Sequence, residues 1–146
     1  MRIAKVLLLI AALGLISGCT CRTHGVTDNI PVAAEGDLLK DINFAFDSYV
    51  IDPANKAVLD ENYKWLAQNA ARKVEIEGHC DERGTSEYNM ALGNKRAKAT
   101  ADYLVSLGVA ADRLNTVSYG KEMPLDPAHT QAAWAKNRRA HFKILN

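Results

Sequence analysis

The sequence predicts a two-layer α/β sandwich, with a four-stranded mixed sheet, helices packed on one face and water on the other. Three observations predict it. Short alternating segments recur between longer helical ones, so strand and helix interleave along the chain. The clearest of these, Val74-Glu75-Ile76-Glu77 and Ala140-His141-Phe142-Lys143-Ile144, each keep one polar face, whereas a sheet covered on both sides would carry continuous apolar strands. Apolar residues make up 48% of the 146, adequate for one compact core.

The chain opens with Arg2 and Lys5, followed by an unbroken apolar run of eleven residues from Val6 to Ile16. A membrane-spanning helix needs about 20 apolar residues, so the run suits the core of a secretory signal. It stops at Ile16-Ser17-Gly18-Cys19. Small residues before a cysteine resemble a lipobox, in which the Cys19 thiol is acylated and becomes the new N-terminus once residues 1–18 are removed. Cys21, preceded by Thr20, is a poorer candidate. Removal takes away Arg2 and Lys5 and no acid, leaving 16 Lys+Arg against 17 Asp+Glu. That balance offers no basic surplus for nucleic acid and no acidic surplus for a disordered tail.

Residues 19–39 contain Gly25, Pro31 and Gly36 without periodicity and read as a tether. A flexible stretch from Thr20 to Gly36 would span roughly 20–25 Å on average and about 55 Å drawn out. A disulfide between Cys21 and Cys80 would pin that tether, so both thiols are expected to be unpaired. The folded domain is expected over residues 40–146, without internal repeats.

Within the domain, Ile42, Phe44 and Phe46 alternate onto one face of a first strand. Asp52-Pro53 gives an N-cap followed by proline at the first helical position. It opens a helix to about Ala70, with Val58, Leu59, Tyr63, Trp65 and Leu66 for burial. Val74 to Glu77 forms the second strand. Ser86 caps a long helix to about Leu107, closed by Gly108. Leu114 to Tyr119 is the third strand, and Gly120 to Pro127 a loop. Asp126-Pro127 repeats the cap-plus-proline device and predicts a third helix to about Asn137. Ala140 to Ile144 is the last strand.

The stretch from Gly78 to Ala97, GHCDERGTSEYNMALGNKRA, carries the chemistry. It packs Asp81, Glu82 and Arg83 into a turn at Gly84, just past a strand and before a helix N-terminus, where loops of α/β folds receive ligands. Asn89 and Arg96 are seven residues apart, which is two helical turns and nearly one angular position. Gly93 lies between them and serves either a ligand lying against the backbone or close helix–sheet packing. His79 and Cys80 point to opposite faces of a strand and cannot chelate together, and no second Cys/His cluster completes a metal site. Glu75 and Glu77 read as a solvated face rather than an acid–base pair. Trp65 and Trp134 read as core or interface residues. No catalytic residue, metal or cofactor is expected.

Asn89-x-x-Leu92-Gly93-x-x-Arg96-Ala97, with Asp81 fifteen residues before Arg96, resembles the wall-binding segment of OmpA-like peptidoglycan-binding domains. The resemblance covers about residues 40–146. It departs from the family at Gly93, often serine, and at Cys80, often threonine. It implies the two-layer architecture, no enzymatic activity, and a noncovalent grip on peptidoglycan by Phe46, Asp47, Asp81, Asn89, Leu92, Arg96 and Arg138. Of the arginines in Asn137-Arg138-Arg139-Ala140, Arg138 is the one expected at the pocket. The implied ligand is the side-chain end of meso-diaminopimelate, which bears an ammonium and a carboxylate on one carbon. Asp81 would take the ammonium and the Arg96 fork the carboxylate, bidentately. A lysine-type stem lacks that carboxylate, so specificity would follow.

DERGTSEYN, together with the lipobox, resembles the lipoprotein members of the family more than its generic members, which typically diverge after GHTD. That resemblance implies the outer membrane, with the domain facing the periplasm, and the Tol envelope system with the TolB protein as partner in envelope integrity and cell division. Thr20 is consistent with this, since an aspartate after the acylated cysteine often signals inner-membrane retention. The rival readings are an OmpA-like lipoprotein without a Tol role and a lipoprotein that hydrolyses peptidoglycan.

Overall fold

The computed structural model describes residues 38–145. The expected signal, Cys19, Cys21 and the tether up to residue 37 lie outside the described residues. The elements are β1 (Ile42–Asn43), α1 (Pro53–Gln68), β2 (Lys73–His79), α2 (Ser86–Leu107), a 3-10 turn (Ala111–Arg113), β3 (Leu114–Gly120), α3 (Gln131–Asn137) and β4 (Arg139–Leu145). They form one four-stranded sheet in the order β1-β4-β2-β3. β2 and β3 run parallel, joined by α2 as the crossover, while β4 is antiparallel to both β1 and β2. α1 packs on α2, and α2 lies on β2 and β3. Ile42, Leu59, Leu66, Val74, Ile76, Leu104 and Phe142 form the fully buried centre of the core between the layers.

Several local signals act as the sequence indicates. The Asp52 side chain accepts the Asn55 N–H, with Pro53 next in the helix. Gly108 closes α2 in the left-handed conformation at φ 113°, which a side chain would resist. Two devices are less visible in the sequence. Arg113 caps the end of α1 by donating to the carbonyls of Leu66, Asn69 and Arg72. Asn62, buried in mid-helix, exchanges two hydrogen bonds with the Lys40 backbone and so fixes the chain entering β1.

Four expectations need correction. The first strand stops at Asn43, and Phe46 is 60% exposed rather than in line with Ile42 and Phe44. The chain turns away after Phe44, with Ser48 N–H donating to Ala45 O and Asp47 at φ 53°, a conformation aspartate tolerates better than most residues. The cap of α2 is Thr85, one residue before Ser86. Asp126-Pro127 does not start α3, since Thr130 caps it. Asp126 instead accepts the Ala128 N–H, and the Asn137 amide holds Leu125 and Asp126 in a turn. Finally, the open face of the sheet is not uniformly wet, for Glu77 is 9% and His79 1% exposed. The segment from Glu122 to Leu125 borders the depression they line.

Gly93 is a packing residue. A Cβ there would meet the Ser118 hydroxyl and lie 2.7 Å from the Gly78 carbonyl, and a Cβ on Gly78 would run into the Gly93 carbonyl. The two glycines let α2 touch β2 backbone to backbone, which brings Asn89 and Arg96 down onto the strand end.

Candidate ligand-binding site

β2 ends at His79, and Cys80 N–H donates to Gly120 O at 2.7 Å, keeping the chain on the sheet for one more residue. Asp81 then enters a polar cradle. Arg83 meets its carboxylate with Nε at 3.2 Å and Nη2 at 2.6 Å, and Arg83 N–H donates to Oδ1. Arg138 adds Nη1 at 3.2 Å and donates its Nε to Phe44 O. The carboxylate is 3% exposed. Burial pushes its pKa up, but the hydrogen bonds from Arg83 and Arg138 outweigh burial and hold it below the usual carboxylate range.

Arg96 is fully buried, with Nε on Ser48 O, Nη1 on His79 O and Cys80 Sγ, and Nη2 on Ala45 O. Burial lowers its pKa. A guanidinium has five N–H donors, and these contacts leave one. The bidentate fork expected of Arg96 therefore lacks the donors to form. Its first task is to tie the loop after β1 to the end of β2. Asn89 is buried too, and its amide donates to Arg83 O at 2.8 Å, holding the Asp81 turn from the helix side. Cys80 is a free, buried thiol that contacts Asn89 O, and burial raises its pKa.

These groups border a cavity of about 160 Å³ lined by Phe46, Asp47, Cys80, Asp81, Arg83, Gly84, Tyr88, Asn89, Leu92, Arg96 and Arg138. All seven residues singled out from the sequence as the wall-binding set are among them. A cavity of roughly 150 Å³ holds a benzene-sized group, so this one has room for the end of one side chain and not for a sugar ring. Asp47 accepts a hydrogen bond from the Tyr88 hydroxyl, which pushes the phenol pKa up.

Arg83 was named in the turn after β2 but not placed in the wall-binding set, Tyr88 was not singled out, and Trp134 was read as core or interface. The Arg83 guanidinium lies 3.9 Å from the centre of the Phe46 ring and 4.4 Å from that of Trp134. Trp134 is fixed by its Nε1 donating to Glu82 at 2.8 Å, and Glu82 also meets His129 at 2.6 Å. The signal for Arg83 was its place two residues after Asp81 in the turn. Trp134 comes from α3, and nothing near it in sequence marks the contact. A wider depression of about 900 Å³ lies over the open sheet face beside Glu77, His79, Arg139 and His141. Asp41 is engaged there with His141 and Arg139, while the His79 ring lies 3.4 Å from Glu77 without a hydrogen bond to it. Among the described residues no His/Cys/Asp/Glu cluster could hold a metal ion.

Comparison with known proteins gives one consistent family. The family model described as OmpA family matches residues 43–138. The chain is 46% identical over 129 residues to a peptidoglycan-associated lipoprotein of Rhizobium meliloti strain 1021, covering 88% of this chain and 71% of that protein. It is 39% identical over 147 residues to the protein of the same name from Haemophilus influenzae, covering 95% and 96% respectively. Its fold superimposes on the crystal structure of the peptidoglycan-associated lipoprotein from Burkholderia pseudomallei with a TM-score of 0.70 at 42% identity, over 73% of this chain and 90% of that one.

Proposed function

The chain belongs to the OmpA family, and on that footing we propose that it is an acylated outer-membrane protein that grips peptidoglycan noncovalently. Acylation rests on Cys19 behind its short apolar run, and agrees with the name its relatives bear. The observation that carries the ligand reading is the cavity itself. It is sized for one small polar group and presents an aspartate whose charge is fixed by two arginines. Phe46, Asp47, Asp81, Asn89, Leu92, Arg96 and Arg138 make the binding set. The side-chain end of meso-diaminopimelate enters, its ammonium meeting Asp81, and the rest of the stem stays outside. The Tol system, with TolB as partner, and a part in cell division rest on the DERGTSEYN resemblance.

The test is co-sedimentation of the full chain, in detergent, with diaminopimelate-type and lysine-type peptidoglycan, beside Asp81→Asn. We expect pelleting with the diaminopimelate type only, lost in Asp81→Asn, and constant wall turbidity, as for a binder and not a hydrolase. Equal pelleting with both walls, or an Asp81→Asn chain that pellets normally, would reject the site and make a protein-partner role the leading reading. Competition between TolB and wall fragments for the chain tests the Tol assignment separately.

A further inference from the structure

We propose that the wide depression over the open sheet face is a second binding site, separate from the cavity beside Asp81, and that it takes the ammonium end of a lysine side chain presented by a partner protein. The starting point is Glu77, on the open face of β2 and 9% exposed. Among the described residues its carboxylate accepts no hydrogen bond, and its one ion-pair neighbour is the His79 ring at 3.4 Å. That ring is neutral at pH 7, because burial, with the charges of Arg139 and His141, lowers its pKa to about 4. The carboxylate borders the depression. A charge held so far from water without a cation or a donor is unfavourable, and a cation entering from the depression would relieve it.

The other charges around the depression do not serve Glu77. Arg139 and His141 both sit on Asp41. Lys40 turns its ammonium away to Glu61 at 2.6 Å. Glu122 adds a second carboxylate at the border and, among the described residues, accepts only the Ser86 hydroxyl. The acidic and imidazole groups do not converge on one point as a metal ion requires, so the cation that fits is organic. The rest of the border is apolar, with Met123 and Leu125 standing 53% and 61% exposed. A lysine matches both features. Its ammonium is a compact charge with three donors, and its stem lies along apolar surface. An arginine head seeks two oxygens side by side, and one Glu77 oxygen faces His79. At about 900 Å³ the depression far exceeds one side chain. The lysine therefore has to arrive on a surface that covers the remainder, which points to a protein rather than a free amine.

The experiment follows isotope-labelled methionine methyls of the full chain, in detergent, by NMR during titration with the peptide acetyl-Leu-Lys-Leu-amide. Met123 borders the depression and reports on it, while Met90, exposed on α2 beside β3, is the control. The expected result is a saturable shift of Met123 with Met90 unmoved. Binding should weaken roughly tenfold or more in Glu77→Gln and about twofold in Glu122→Gln at the border. The norleucine analogue, which keeps the stem and drops the ammonium, should leave Met123 unmoved. Asp81→Asn should respond as the parent does, so the proposal stands even if the peptidoglycan reading falls. Circular dichroism checks each fold, and if Glu77→Gln does not fold, Glu122→Gln and the norleucine peptide carry the test. A silent Met123, an equal shift with the norleucine peptide, or parent-like binding by both glutamate variants overturns the proposal. So does loss of the response in Asp81→Asn, which would put the lysine in the other cavity. Butylammonium binding as tightly as the peptide would overturn the protein partner in favour of a free amine.

Discussion

His79 is the residue that the fold treats most harshly. It is 1% exposed, stacked on Tyr119 at 5.5 Å, and neither ring nitrogen has a hydrogen-bond partner. Burial, then the charges of Arg139 and His141, lower its pKa to about 4, against the pull of Asp41 and the Met123 backbone. The unfolded chain therefore takes up this proton near pH 6.5 and the folded chain only near pH 4. Between those values the unfolded state binds more protons, so stability falls as pH falls through that window. His141 works with the opposite sign. Its hydrogen bond to Asp41 raises its pKa, and its contribution is present in acid and lost as pH rises. Replacing His79 by phenylalanine removes the first effect and leaves the second. Urea unfolding at pH 7 and pH 5 should show the parent losing about 1–2 kcal/mol relative to His79→Phe over that step. Parallel pH profiles for the two chains would show that His79 is not carrying the acid sensitivity.

At the scale of elements, the contact between α2 and β2 decides where the cavity forms. It exists because Gly78 and Gly93 face each other without side chains. The two are not equivalent. A methyl on Gly78 meets the Gly93 backbone, which cannot yield without moving the helix. A methyl on Gly93 meets the Ser118 hydroxyl and lies 2.7 Å from the Gly78 carbonyl, a milder backbone clash than the 1.9 Å approach that a methyl on Gly78 makes to the Gly93 carbonyl, and alanine gains about 1 kcal/mol of helix propensity over glycine. Gly78→Ala should therefore cost about 2–3 kcal/mol of stability, and Gly93→Ala clearly less, as read by thermal or urea unfolding. Equal losses would mean that the helix shifts as readily for either. Most elements were legible in the sequence, because the period of apolar residues and the capping residues are local: Asp52-Pro53 and Gly108 act as written. The misreadings share a cause. Asp126-Pro127 has the chemistry of a cap, and only Asn137, eleven residues away in sequence, turns it into a closed loop. Phe46 continues an apolar alternation, and only the turn at Asp47 takes it out of the sheet.

Over the whole molecule, Arg96 links three parts of the chain that no helix or strand joins directly. It reaches from α2 to the loop after β1 through Ala45 O and Ser48 O, and to the end of β2 through His79 O. The sequence places Asp81, Asn89, Leu92 and Arg96 near one another because turn and helix spacing fix them. It cannot report that Arg96 is nearly saturated, since three of its four partners are backbone carbonyls, which every residue possesses. Nor can it report the contact of Trp134 with Arg83, because α3 and the turn after β2 meet only in the tertiary fold. The two arginines should therefore separate in a melting experiment without ligand. Arg96→Lys leaves buried carbonyls without donors and should cost about 2–4 kcal/mol, or roughly 10–20 °C in Tm for a domain of about 100 residues. Arg83→Gln takes two side-chain hydrogen bonds from the buried Asp81 carboxylate but leaves it Arg138, so it should also melt below the parent, by less than Arg96→Lys. Adding the diaminopimelate stem at about 100 times its Kd should stabilise the parent by about 2.7 kcal/mol. If Arg96→Lys melts with the parent and loses only the ligand shift, Arg96 is a binding group rather than the tie between the loop and the sheet.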